Sequence, residues 1–364
     1  MIAFISSTYP PELLDMASNR NQRLYSLPVE TIPIQGGIIL KRGCMELRIR
    51  GDGVEDILKS VLSSSSRPSG ITKEELRLRF GSNSHGGIDR LIDQLILRRI
   101  LVTDNTHAGE HIAQESALEV FYWHFDSTPT EAELHLANKT LVVLDVGTLS
   151  QFIVRSLSLA GFKDVRTIPH RVVDYADSSR TVGGLASDEP ISTELFAHLP
   201  ASYDCLVMAS DFGTSPVFHE VNRFCVEQER KFFPVTIQNM IGYIGPLVIP
   251  GETACYECLH RRIQSNLPDP EMSRAIESHN FRQQRIVSHH PLMLSALADL
   301  AAFELLRYFS DVLDYDPGTL LEVPFLARRM ESRRVLKLPR CSTCSPLKTR
   351  PSTTLNKTMF SFED

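Results

Sequence analysis

The spacing of apolar positions changes along the chain, and each change predicts a different element. From Val29 to Arg50, short alternating runs (VETIPI, GGIILK, CMELRIR) are separated by Gly36-Gly37 and Arg42-Gly43, which predicts a small antiparallel meander. The period then becomes helical in GVEDILKSVLS. A serine-rich stretch follows, SSSSRPSG, and Thr72 and Glu75 stand at capping-box spacing at the head of TKEELRLRF. A third helix is expected from Gly87 to Arg99, with Ile88, Leu91, Ile92 and Leu95 at i, i+3, i+4 and i+7, and it runs into the extended ILVTD. Three strands, three helices and a closing strand make a winged helix-turn-helix pattern. Arg90, Arg98 and Arg99 place positive charge on its last helix, which serves either nucleic-acid contact or a solvated face.

Residues 105–129 read as a connector holding the aromatic cluster Phe121-Tyr-Trp-His-Phe125. Beyond it the pattern alternates between strand and helix. Thr140-LVVLDVG predicts a buried parallel strand, LSQFIVRSLSLAGF a helix stopped by glycine, and DVRTIPH a second strand. Tyr203-DCLVMASD, the helix VFHEVNRFCVEQER and the strand FFPVTIQ continue the alternation, which predicts a doubly wound parallel sheet.

Length and composition agree with this picture. The chain has 364 residues, of which 42% are hydrophobic and 23% charged, which suits two folded domains. The formal net charge of -6 argues against a nucleic-acid partner and against a DNA-binding regulator. No run approaches the roughly 18 apolar residues of a membrane span, and the N-terminus lacks a signal-peptide pattern, so a cytoplasmic protein is expected.

Four of the seven cysteines form two CxxC pairs, Cys255/Cys258 and Cys341/Cys344. Two intervening residues let both thiolates of a pair reach one ion from a tight turn, and the second pair completes a tetrahedral thiolate set suited to structural zinc. The rival reading is a redox pair. Cys44, Cys205 and Cys225 are expected to be buried singly among apolar neighbours. The turn after the first strand of the second domain retains only Gly147 of the three glycines of a nucleotide-binding turn, and Asp145 beside it would repel phosphate, so the nucleotide site reads as absent or heavily modified. Asp211 ends its strand where open α/β sheets place ligand contacts, and it equally suits a helix cap. His289 and His290 precede the helix that opens at Pro291, as caps or partner contacts.

At Ile241 to Asn266, IGYIGPLVIPGETACYECLHRRIQSN, the sequence resembles the E1-like superfamily of ThiF and the ubiquitin-activating enzymes, and within it the cyclodehydratase partner proteins of azole-peptide biosynthesis. The resemblance extends over roughly residues 139–344 through the eroded turn, Asp211, the alanine-rich helix ending in Glu304-Leu-Leu-Arg307 and the second CxxC. It implies a winged helix-turn-helix peptide recognition element at residues 1–108, a connector at 109–138, a Rossmann-like E1 domain with its four-cysteine zinc at 139–346, and a tail at 347–364. It also implies capture of a precursor-peptide leader, which adds as a strand to the third strand, Cys44 to Arg50, beside the helix Ile88 to Arg99. Leu47, Arg48, Ile49, Leu91, Leu95 and Arg98 are then the peptide contacts. The expected partners are a YcaO-type cyclodehydratase and a second copy of the chain. The alternative is a free-standing ATP- and magnesium-dependent enzyme of the pantocin or microcin C type that activates a peptide carboxylate. There Asp211 would be catalytic, Gly147 and Asp211 would hold the nucleotide, and Arg155, Lys163, Arg166 and Arg171 would rebuild the phosphate site. The Asn-Leu-Asn-Arg-Gln segment of adenylating members is not found between His170 and Pro200.

Overall fold

The structure, a computed structural model, describes residues 3–4, 22–67, 69–80, 85–103, 116–145, 147–169, 196, 198–211, 216–282 and 288–345. Arg171, most of the connector's first half and the tail at 347–364 lie outside the described residues. The chain forms two compact units, Met1–Pro129 and Thr130–Asp364.

In the first unit, β3 (Glu30–Ile34), β4 (Gly37–Arg42) and β5 (Met45–Arg50) form the expected meander. Ile38 faces Ile49 and Leu40 faces Leu47 across the β4–β5 ladder, and all four are buried, as the alternation requires. The short β1 (Ala3–Phe4) pairs antiparallel with Ile49 and Arg50, so the sheet order is β1-β5-β4-β3. A smaller sheet joins β2 (Arg23–Ser26) to β6 (Ile71–Thr72) and β7 (Leu101–Val102). Between them lie α1 (Val54–Ser65), α2 (Lys73–Leu78) and α3 (His85–Leu97). The capping box at α2 is made in both directions, Glu75 N–H to Thr72 Oγ1 at 3.2 Å and Thr72 N–H to Glu75 Oε2 at 2.9 Å.

Three sequence expectations change here. The expected connector contains helices α4 (Ala117–Trp123) and α5 (Pro129–Ala137); α4 is held to the first unit by Trp123 Nε1–H donating to the Arg99 carbonyl at 3.1 Å. Cys44 is exposed, because it sits in the β4–β5 turn made at Gly43 rather than on the inward face; Cys205 and Cys225 are buried as expected. The third change concerns α3: Ile88, Leu91, Ile92 and Leu95 are all buried in the core with Leu47 and Ile49. The apolar stripe faces its own sheet, not a groove.

The second unit is built on a seven-stranded sheet in the order β14-β13-β12-β11-β10-β8-β9. Strands β8 (Thr140–Asp145), β9 (Asp164–Pro169), β10 (Cys205–Ser210) and β11 (Lys231–Gln238) are parallel. The sheet is not parallel throughout: β12 (Ile241–Ile244), β13 (Thr319–Pro324) and β14 (Glu331–Arg334) extend it antiparallel. From β8 the chain steps outward through α6 (Thr148–Leu159) to β9, and from β10 in the other direction through α7 (Pro216–Glu227) to β11. Right-handed crossovers in opposite directions put α6 and α7 on opposite faces and leave a crevice between β8 and β10. The remaining helices are α8 (Tyr256–Ser265), α9 (Pro270–Arg282) and α10 (Pro291–Phe309). Ser156 on α6 donates to Asp299 on α10 at 2.6 Å, and Phe162 meets Phe309 edge-on at 6.0 Å, so the two helices run parallel and begin at the same end. Among the described residues no helix is long and apolar enough to cross a membrane.

Truncating a wholly buried leucine leaves a cavity, at about 2–5 kcal/mol. Leu91→Ala and Leu95→Ala should each lower unfolding stability by that amount in urea titrations of the intact chain, while Arg48→Ala, at an exposed position, should leave it within about 0.5 kcal/mol.

Candidate metal centre and cleft

The thiol atoms of Cys255, Cys258, Cys341 and Cys344 all lie within 4.8 Å of one another and form the one potential metal-ligand group among the described residues. Sγ separations of 3.8 Å (Cys255–Cys258), 3.6 Å (Cys255–Cys341) and 3.5 Å (Cys258–Cys344) match the edge of about 3.8 Å that four metal–sulfur bonds of about 2.3 Å impose. The donor set therefore fits a tetrahedral ion. Hydrogen bonding among the sulfurs raises the Cys255 thiol and holds Cys258 well below its ordinary value. The Leu338 N–H donates to Cys258 Sγ at 3.3 Å. Asn222, fully buried on α7, accepts from the Tyr256 N–H at 3.0 Å and so fixes the turn that begins with Cys255. With four protein ligands no position is open to substrate.

The cleft lies at the carboxyl ends of β8 and β10. Asp211 is 1% exposed, and its Oδ2 accepts from the Thr148 N–H at 3.1 Å. The carboxylate therefore caps α6. A Cβ at position 147 would overlap Asp211 Oδ1, which is why glycine stands there. Asp145 accepts from Ser150 Oγ on the same turn. Asp211 Oδ1 and His289 Nδ1 are buried with no hydrogen-bond partner. His289 lies close enough that its positive form would lower the Asp211 pKa, while burial raises it. The parallel run of α6 and α10 explains the proximity, since His289 lies one residue before the cap of α10. His290 caps that helix, with Nδ1 accepting from the Leu292 N–H at 3.2 Å.

The Thr148 amide at the head of α6, where a nucleotide-binding turn would hold a phosphate, is taken by Asp211. Lys163 precedes β9 at the amino-terminal edge of the sheet, and Arg166 is paired with Asp164 at 2.8 Å, away from the crevice. Arg155 lies seven residues into α6, about 10 Å along it.

Of the residues expected to contact a peptide, Arg48 is exposed and Arg98 half-buried, whereas Leu47, Ile49, Leu91 and Leu95 lie in the core. Arg99 is tied to Asp126 at 2.8 Å, and the neighbouring acids Asp89 and Asp93 on α3 pair with Arg77 and Lys73.

No protein-family model matches the sequence, and no curated protein matches it. Solved structures do share its fold. The heterocyclase TruD superposes with a TM-score of 0.58 at 17% identity over 90% of this chain and 43% of its own. Escherichia coli MccB with MccA-N7isoASN gives 0.60 at 15% identity over 88% and 99%. MccB with ATP gives 0.58 at 15% identity over the same shares. The chain thus spans less than half of the heterocyclase and nearly all of MccB, and at these identities the likeness establishes the fold.

Metal analysis of the purified chain should find one ion per chain, lost with much of the thermal stability in Cys258→Ser. Because burial raises Asp211, the folded chain holds that proton to higher pH than the unfolded chain, and stability falls as pH rises above the ordinary carboxylate range. Asp211→Asn keeps an acceptor for Thr148, so its gain in Tm over the parent should grow from about pH 4 to pH 7. A gain that shrinks over that range contradicts the assignment.

Proposed function

We propose that this chain handles a ribosomally made precursor peptide: it binds the leader and presents the core for heterocyclisation by a YcaO-type partner, working as a homodimer around structural zinc. The observation that carries this reading is the Asp211 carboxylate on the Thr148 amide, which puts the chain's own anion where a nucleotide phosphate would sit. The first unit then acts as a winged helix-turn-helix peptide recognition element. Among the described residues β5 is paired on that side only at Ile49 and Arg50, which supports an added strand at Met45 to Arg48. With the α3 stripe buried, side-chain recognition falls to exposed Arg48 and half-buried Arg98. The fold shared with a heterocyclase, and with a protein solved with MccA, supports a peptide substrate.

A second reading, a free-standing enzyme that activates a peptide carboxylate with ATP and Mg2+, is favoured by the unpaired Asp211 Oδ1 and His289 Nδ1 in the cleft. MccB has been solved with ATP. In that case residues outside the described set supply the phosphate contacts.

Fluorescence anisotropy with a labelled leader from the precursor encoded beside this gene tests the first reading. Arg48→Glu should weaken binding by about tenfold, or ~1.4 kcal/mol, and Asp211→Ala should not change it. No measurable affinity for the leader removes the reading. Peptide-dependent ATP consumption that disappears in Asp211→Ala establishes the second in its place.

A further inference from the structure

The two edges of β5 are occupied to different extents. β4 takes one of them along the whole strand, from Arg42 opposite Met45 to Gly37 opposite Arg50. On the other edge, among the described residues, only β1 pairs, with Ala3 opposite Arg50 and Phe4 opposite Ile49. A strand edge takes one neighbour at each position, because each backbone N–H and C=O on that side points to one ladder partner. Strands in folded proteins are usually about 5–6 residues long. A peptide of that length laid along β5 from Met45 therefore runs into Ile49 and Arg50, where β1 already sits.

The hold of β1 on this edge is small. It is a strand of 2 residues against the 6 of β5, and alanine at position 3 is a poor strand former. What favours its pairing is that it belongs to the same chain: β1 is tethered to β2 through residues 5–22, so it docks without the loss of translational freedom that a separate peptide suffers. A free peptide competes by pairing at more positions. The unpaired stretch from Met45 to Arg48 gives it a place to start, and the covered end gives it something to displace.

We propose that β1 is a built-in competitor of the peptide: it holds the Ile49 and Arg50 end of the β5 edge in cis, and pairing of a peptide along the whole of β5 requires β1 to leave. The proposal rests on the reading of the β5 edge as the leader-binding surface. Its consequence is quantitative. The apparent affinity for a peptide is reduced by the fraction of chains whose edge is fully open, so a chain that cannot form β1 binds more tightly than the parent. A strand that only shielded the edge from other chains would leave peptide affinity unchanged.

The test compares the full-length, metal-loaded chain with the same chain carrying Ala3→Pro and Phe4→Pro, since proline lacks the N–H that a ladder uses. The labelled leader is titrated into both by fluorescence anisotropy. The variant is expected to bind it at least about fivefold more tightly than the parent. In the variant, bound leader should also slow amide exchange at Ile49 and Arg50 as well as at Met45 to Arg48. Affinity that is unchanged or weaker, or slowing confined to residues 45–48, overturns the proposal and leaves the leader reading standing. If the leader binds neither chain, the leader reading fails, and a labelled peptide with the sequence of residues 1–8, MIAFISST, decides the occupancy of the edge. Saturable binding of that peptide, at least about fivefold tighter to the variant than to the parent, supports a displaceable β1; equal or absent binding overturns it. If the prolines lower Tm, Ala3→Gly with Phe4→Gly replaces them under the same outcomes.

Discussion

Four cysteine sulfurs brought within 4.8 Å of one another set the geometry of the second unit. Cys255 opens α8 and Cys258 lies in its first turn, so the clamp to Cys341 and Cys344 determines where that helix starts and how it lies on the sheet. Asn222 holds the same turn from α7 through the Tyr256 amide. An ion held by these four thiolates would supply free energy that local contacts over so long a loop would not, and would leave no open coordination position.

The cleft shows a competition for one helix terminus. The first amides of a helix attract anions, and in a phosphate-binding turn several glycines keep the approach open. Here one glycine remains, and it makes room for a side-chain carboxylate from the next strand rather than for a phosphate. The carboxylate satisfies Thr148 with one oxygen and leaves the other buried and unpaired beside His289, at a cost that burial makes visible in its raised pKa.

Much of the architecture was legible because its causes are local. The CxxC spacing, the Thr72–Glu75 box, the glycine turns of the meander and the alternation of strand and helix each act within a few residues, and each is found. Asp211 was legible as the end of a strand, but as a cap it was expected on the next helix, and it is the earlier helix α6 that it caps. The α3 stripe was legible as apolar but not as to what it faces, since a period of 3.6 marks a covered face whether a peptide or the chain's own sheet covers it. Cys44 shows the opposite error: apolar neighbours in sequence do not bury a residue at the tip of a turn.

What the sequence determined by itself was the meander and its helices, the alternation of strand and helix in the second unit, the clustering of the two CxxC pairs and the erosion of the glycine turn, all written in short-range spacing. Only the tertiary structure decided the antiparallel extension by β12 to β14, the meeting of Thr148, Asp211 and His289, and the grouping of His219, Glu257, His260 and Glu277 from three helices. These depend on which strands pair and which helices lie side by side, and such long-range contacts leave no fixed interval between the residues they join.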